Sequence, residues 1–246
     1  MRSGTWLDLY RRGERGRVWH ELRQLGAAVR EEEHLGEAQA VCDEMALRAR
    51  RNIQVVIDRL TVSGYRFHSN DHEQTPVAPF LPASDGAGAL VSWLTARFGA
   101  VPLTMSSWLR LVGDVWLVGT HPEWDGAAAA DPLVIEAEGL RWPHTSIRNH
   151  YDEEFDIWQM ADPEGAEPFV LAVAPDHLHK ANVSGGAPYG FRLPDGCADG
   201  VFVGEVAMPF VDYLNWVFEQ GGFPGRGGAR LPWRLRRSLS EGLLPL

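Results

Sequence analysis

Two residue types are nearly missing from this chain of 246 residues: it holds two cysteines, Cys42 and Cys197, and one lysine, Lys180. Two cysteines make no disulfide framework at this length, which removes the small secreted scaffolds and leaves a reduced, cytoplasmic setting as the simple expectation. Scarce lysine beside abundant Arg, Ala and Gly reflects the coding bias of a GC-rich bacterial genome, not a function. Long apolar runs are missing too. None approaches the about 20 residues that cross a bilayer, and the longest, such as Phe169 to Ala174, are strand-sized. Residues 1–14 lack the apolar centre of a signal peptide. Neither a Gly-x4-Gly-Lys phosphate loop nor a Gly-x-Ser-x-Gly nucleophile elbow occurs. Gly86-Ala87-Gly88 begins like a dinucleotide loop, but Val91 holds the third glycine position and a proline-rich segment precedes it, so it reads as a helix start. No cofactor is expected.

What is present excludes disorder: 45% of residues are apolar, 10% are aromatic, and ten are Trp, each a heavy packing anchor. The net charge of −10 is unevenly spread. Residues 1–30 carry seven Arg against three acids, and residues 226–246 carry five Arg against one acid. The body between them is strongly acidic. That argues against a nucleic-acid partner for the body and favours either plain solubility or a basic protein partner.

Periodicity predicts α+β: an N-terminal helical hairpin over 1–67, a linker over 68–86, a mainly antiparallel sheet flanked by helices over 87–225, and a basic tail over 226–246. Val18, Leu22, Leu25 and Val29 form the first stripe, and Val41, Met45, Ile53, Val56 and Leu60 the second. A polar break at Arg30–Gly36 separates them, and Gly64 followed by Tyr65 reads as a glycine C-cap. Helices are expected at Trp6–Arg11, Ala87–Phe98 (capped by Ser84 or Asp85), Thr104–Val112 and Phe210–Phe218. Strands are expected at Asp114–Gly119, Leu133–Ala137, Glu154–Met160, Phe169–Ala174, Tyr189–Leu193 and Val201–Val203, with turns such as Asp162-Pro163-Glu164-Gly165. Phe223 to Gly228 reads as a flexible connection to an amphipathic tail.

Three groups of residues attract a functional reading. Asp152, Glu153, Glu154 and Asp156 concentrate acid; on a strand, Asp152, Glu154 and Asp156 point one way, to bind a cation, to accept Arg from a partner, or to guard a sheet edge. Trp124 and Trp142 stand in loops and are candidates for a recognition surface, whereas Trp93, Trp108, Trp158 and Trp216 fall on apolar faces of the core. Asp176, His177 and His179 form the densest cluster of metal-ligand types; on a strand the two imidazoles share a face, and His121, His144 or His150 would complete the set. A polar turn explains the same residues. His68 and His72 have helical spacing within a loop-like setting, and neither cysteine has neighbours that would lower its pKa.

Val101-Pro102-Leu103-Thr104, opening a helix that closes with Leu111-Val112-Gly113 before Val115-Trp116-Leu117, resembles the start of SMI1/KNR4-like (SUKH) domains. The resemblance spans about residues 87–220; Val-Pro replaces the family's Leu-Pro step, and Val112 replaces a polar residue. It implies an α+β fold and binding without catalysis, since many members look like immunity proteins that block toxins. The expected function is therefore a non-catalytic bacterial protein-binding module with a protein partner, such as a basic toxin domain, and no membrane partner. A metal-dependent hydrolase using Asp176, His177 and His179 is the first alternative. A subunit docked into a larger assembly by its hairpin and basic tail is the second.

Overall fold

The structure, a computed structural model, describes residues 4–161, 167–225 and 231–246. The expected turn at Asp162–Gly165 and residues 226–228 of the expected connection lie outside the described residues. Thr5 opens helix α1 (Trp6–Arg11) with a reciprocal cap: its hydroxyl accepts the Asp8 N–H, and the Asp8 carboxylate accepts the Thr5 N–H. Helix α2 (Arg15–Leu25) runs into a 3-10 turn at Gly26–Arg30, and α3 (Glu32–Val62) follows. The break is shorter than the sequence suggests, and Gly36 lies inside α3 rather than ending a helix. Tertiary packing outweighs the modest cost of one helical glycine, because α3 buries Ala38, Val41, Met45, Ala49, Ile53, Val56 and Leu60 completely. Gly64 at φ +90° donates to Thr61 O and Tyr65 to Leu60 O, which is the glycine C-cap expected there.

Residues 66–67 form β1, and Phe80–Pro82 form β2 within the proline-rich stretch. Helices α4 (Ala87–Phe98) and α5 (Leu103–Leu111) lead into β3 (Gly113–Trp116) and β4 (Gly119–Thr120). The expected side-chain cap of α4 is not made. Gly86 holds the cap position; the Ser84 hydroxyl donates to Glu138 and accepts only the Gly86 N–H, ahead of the helix. Gly113 is required where it stands: its φ is +100°, and a Cβ there would come within 2.3 Å of the Leu81 carbonyl oxygen. Then come β5 (Val134–Ile135), α6 (Ile147–Ala161), β6 (Phe169–Ala174), α7 (His177–Lys180), β7 (Tyr189–Leu193), β8 (Val201–Val203), β9 (Ala207–Pro209), α8 (Phe210–Glu219) and α9 (Trp233–Ser240).

All described strand pairs are antiparallel, in sheets ordered β1-β4, β2-β3-β5 and β6-β7-β8-β9. The architecture is α+β. Its apolar core is one cluster that reaches from Leu9 through all three sheets to Leu246. The expected strand at Glu154–Met160 is a correction: those residues belong to α6. Ile147, Tyr151, Phe155 and Trp158 recur at helical spacing and turn to the core, and that stripe overrides the alternation of acids.

Lys180 is sealed in the core. Its Nζ lies 2.6 Å from Asp131 Oδ1 and 4.6 Å from the centre of the Tyr189 ring. Residues 231–246 are docked on the chain itself. Leu239 and Leu246 are buried, and two asparagine amides grip the tail backbone. Asn52 donates to Leu244 O and accepts its N–H, both at 2.8 Å, while Asn215 makes the same pair with Leu246 at 3.4 and 2.9 Å.

Candidate functional site

The Glu136 N–H donates to Val173 O at 2.7 Å, bridging the sheet that ends in β5 to the sheet that begins with β6. This bridge falls at a bulge in β6, between Ala172 and Ala174. Beside it opens a cleft of about 420 Å³. Its floor is Ala172 to Pro175. Its walls carry Glu136 and Trp142 from one side, His150 and Glu154 from α6, and Asp176 and His179 from the start of α7. A neighbouring hollow of about 250 Å³ shares Gly139, Trp142, Ile147 and His150 with it, so the Trp142 indole stands in the wall between them.

The loop that presents Trp142 is held by buried carboxylates. Asp114 accepts the N–H groups of Glu138 and Leu140 at 2.9 and 2.7 Å. Glu138 accepts the Ser84 N–H and hydroxyl. Glu136 is paired at 2.6 Å with Arg141, whose guanidinium also covers the Trp116 ring at 5.2 Å. Burial raises Asp114 from its ordinary value to about 6, against the two N–H donors that lower it. Burial likewise raises Glu136 to about 6 in spite of Arg141. One guanidinium thus faces more carboxylate than it offsets.

On α6 the acids divide by helical geometry. Neighbours two apart on a helix are separated by about 200°, not aligned as on a strand. Asp152 and Asp156 turn to α4, where Arg97 reaches them at 2.5 and 3.7 Å. Glu154 turns the other way, into the cleft. Glu153 lies between, on an outward strip with Ile157 and Met160, which are 56% and 73% exposed. The joint face expected for Asp152, Glu154 and Asp156 is therefore corrected: Glu154 alone of the three lines the cleft.

The two loop tryptophans part company as well. Trp142 is 55% exposed at the cleft. Trp124 is buried, edge-on to Phe223 at 5.2 Å, so it is a core residue and not a recognition residue in this structure. Trp93, Trp108, Trp158 and Trp216 pack in or against the core as expected.

His177 and His179 sit on a helical turn rather than a strand, so they do not share a face. His177 approaches Glu205 at 3.9 Å, while His179 Nδ1 is bonded to Asp176. Asp176 also caps α7 by accepting the Leu178 and His179 N–H groups. Its burial works upward on the carboxyl, but the His179 bond and these N–H groups prevail and hold it below the ordinary aspartate range. Among the described residues, the three metal-type side chains whose ligand atoms gather within 4.8 Å are Glu31, Glu33 and His34, not the set at 176–179. His150 joins His179 at the cleft, His144 is exposed in the loop after Trp142, and His121 lies at the other bridge, opposite Trp124. His72 meets Asn182 at 3.1 Å, and His68 is buried. Cys42 is buried, and burial raises the Cys197 thiol to about 11, so neither is an activated nucleophile.

Sequence reasoning passed over Glu136, Ile157 and Met160. The helical recurrence of Ile147, Tyr151, Phe155 and Trp158 was the signal that would have placed the last two on an outward strip. Among the described residues, no helix is long and apolar enough to cross a membrane. No protein-family model, curated protein or solved structure matches the chain.

Proposed function

We propose that this chain is a non-catalytic protein-binding module whose partner is a basic protein docking on the face around Trp142. One observation carries the proposal: Trp142, more than half exposed, lines the cleft with Glu154, and the helix that supplies Glu154 carries two further large apolar side chains more than half exposed, Ile157 and Met160, on its outward strip with Glu153. Aromatic anchors ringed by charge are what high-affinity protein surfaces present, and the acidic body of the chain supports fast association with a basic partner. On the resemblance of residues 87–220 to SMI1/KNR4-like domains, that partner is a bacterial toxin domain and the chain is its immunity protein. Asp152, Asp156 and Trp124 drop out of the proposed surface because Arg97 and the core occupy them.

The test is cross-linked capture from the source cells, with partner identification, by the full chain and by Trp142→Ala combined with Glu154→Gln. Trp142 is exposed, so these changes leave stability within about 0.5 kcal/mol. The expected result is a basic protein captured by the parent and lost by the variant. Identical capture by both sinks the assignment. One observation favours a second reading: a largely buried Asp176 orients His179 at the cleft, as a carboxylate orients an imidazole that ligates a metal in a hydrolase. Stoichiometric metal in the purified chain, lost on His179→Ala, would decide for that reading.

A further inference from the structure

We infer that the cleft beside Trp142 is a receptor for a single arginine side chain of the partner, taken between the indole and the carboxylates of Glu136 and Glu154. This rests on the protein-binding reading and names the chemistry of recognition. The cleft offers an indole more than half exposed, aliphatic lining at Ala172 and Pro175, and the carboxylates of Glu136 and Glu154. A planar, delocalised cation with a long aliphatic stem matches each of these, and an ammonium matches only the charge.

The chain already builds this arrangement once. Arg141 lies over Trp116 at 5.2 Å while bonding Glu136 at 2.6 Å. Arg148 over Trp93 at 5.6 Å repeats the stacking half on α6. A guanidinium arriving from outside, over Trp142, would repeat the same motif against Glu154 and the part of Glu136 that lines the cleft. Glu136, Glu154 and Asp176 set three carboxylates on the lining of the cleft against the two imidazoles of His150 and His179, and Arg141 pairs with Glu136, so the lining as a whole favours an added cation.

The experiment uses the full chain labelled with nitrogen-15, titrated with acetyl-Gly-Arg-Gly-amide and with its citrulline counterpart, a neutral near-isostere. The indole N–H of Trp142 is identified by its loss in Trp142→Phe. The expected result is a saturable shift of that signal by the arginine peptide at millimolar concentration, with at least about tenfold weaker binding of the citrulline peptide and of the arginine peptide to Glu154→Gln. Equal binding of the two peptides, no shift at the Trp142 indole, or binding untouched by Glu154→Gln overturns the inference. The protein-binding reading fails by a different result, namely unchanged partner capture, so the two are separable.

Discussion

Replacing Lys180 with Met tests how a charge is kept in this core. The side chain of Lys180 is fully buried and that of Asp131 is 5% exposed, with 2.6 Å between Nζ and Oδ1. Burial pushes the ammonium pKa down, and Asp131 only partly restores it. Met preserves the apolar stem but deletes the charge and, with it, the ammonium over the Tyr189 ring. Asp131 would keep only the Tyr189 hydroxyl, at 3.4 Å. Breaking one partner of a buried ion pair costs about 3–5 kcal/mol, because the other charge stays desolvated. Adding Asp131→Asn removes that charge, and Asn tolerates the left-handed backbone at φ +51°. The double variant should therefore regain about 2 kcal/mol or more of the loss. Urea unfolding at pH 7, followed by Trp fluorescence, reads both numbers. A cost below about 1 kcal/mol for Lys180→Met, or a double variant as unstable as the sum of the singles, would refute the reasoning. Lys180→Arg should also destabilise, by about 1–3 kcal/mol, since a fork-shaped head overfills a site sized for an ammonium.

Two further outcomes follow from the buried groups and from the docked tail. Asp114, Glu136 and Asp199 all have folded pKa values raised to about 6 by burial, so they hold protons more tightly folded than unfolded. Their stabilising contribution is complete below the ordinary carboxylate values and is lost as pH rises through 6, about 2–3 kcal/mol per group. The melting temperature should rise as pH falls from 7.5 to about 5.5, and a steady decline over that window would contradict the burial of these carboxylates. Asn52→Ala removes two hydrogen bonds to Leu244, about 1 kcal/mol each, and should speed amide exchange across 239–246 more than elsewhere. Exchange rates unchanged in that segment would show that the clamp carries no weight.

Elements with a pure period were legible from the residues. Ala87–Phe98, Phe169–Ala174, Tyr189–Leu193 and Val201–Val203 form with the boundaries their patterns imply. Helix α6 was not, because its acids alternate like a strand while its apolar stripe runs at helical spacing, and only packing decides between two periods. Strand β2 hid among prolines, since its partner Val115 lies 35 residues away from Phe80. The cleft was legible only in fragments. Trp142, Glu154, Asp176 and His179 each drew notice, but nothing local says that the bulge in β6 and the turn of α6 bring them together. The fate of Trp124 was likewise set by a contact with Phe223, far along the chain.

The asparagine grip on the tail also has a bearing on biosynthesis. Asn52 waits for a residue 192 positions downstream, so the part of this 31-residue helix that the tail covers stays bare while the residues between them are being made. At ribosomal speeds of about 5–20 residues per second, that interval lasts on the order of ten seconds or more. Over that span, the apolar seat that Leu239 and Leu246 fill is open to whatever chaperones attend the exit tunnel.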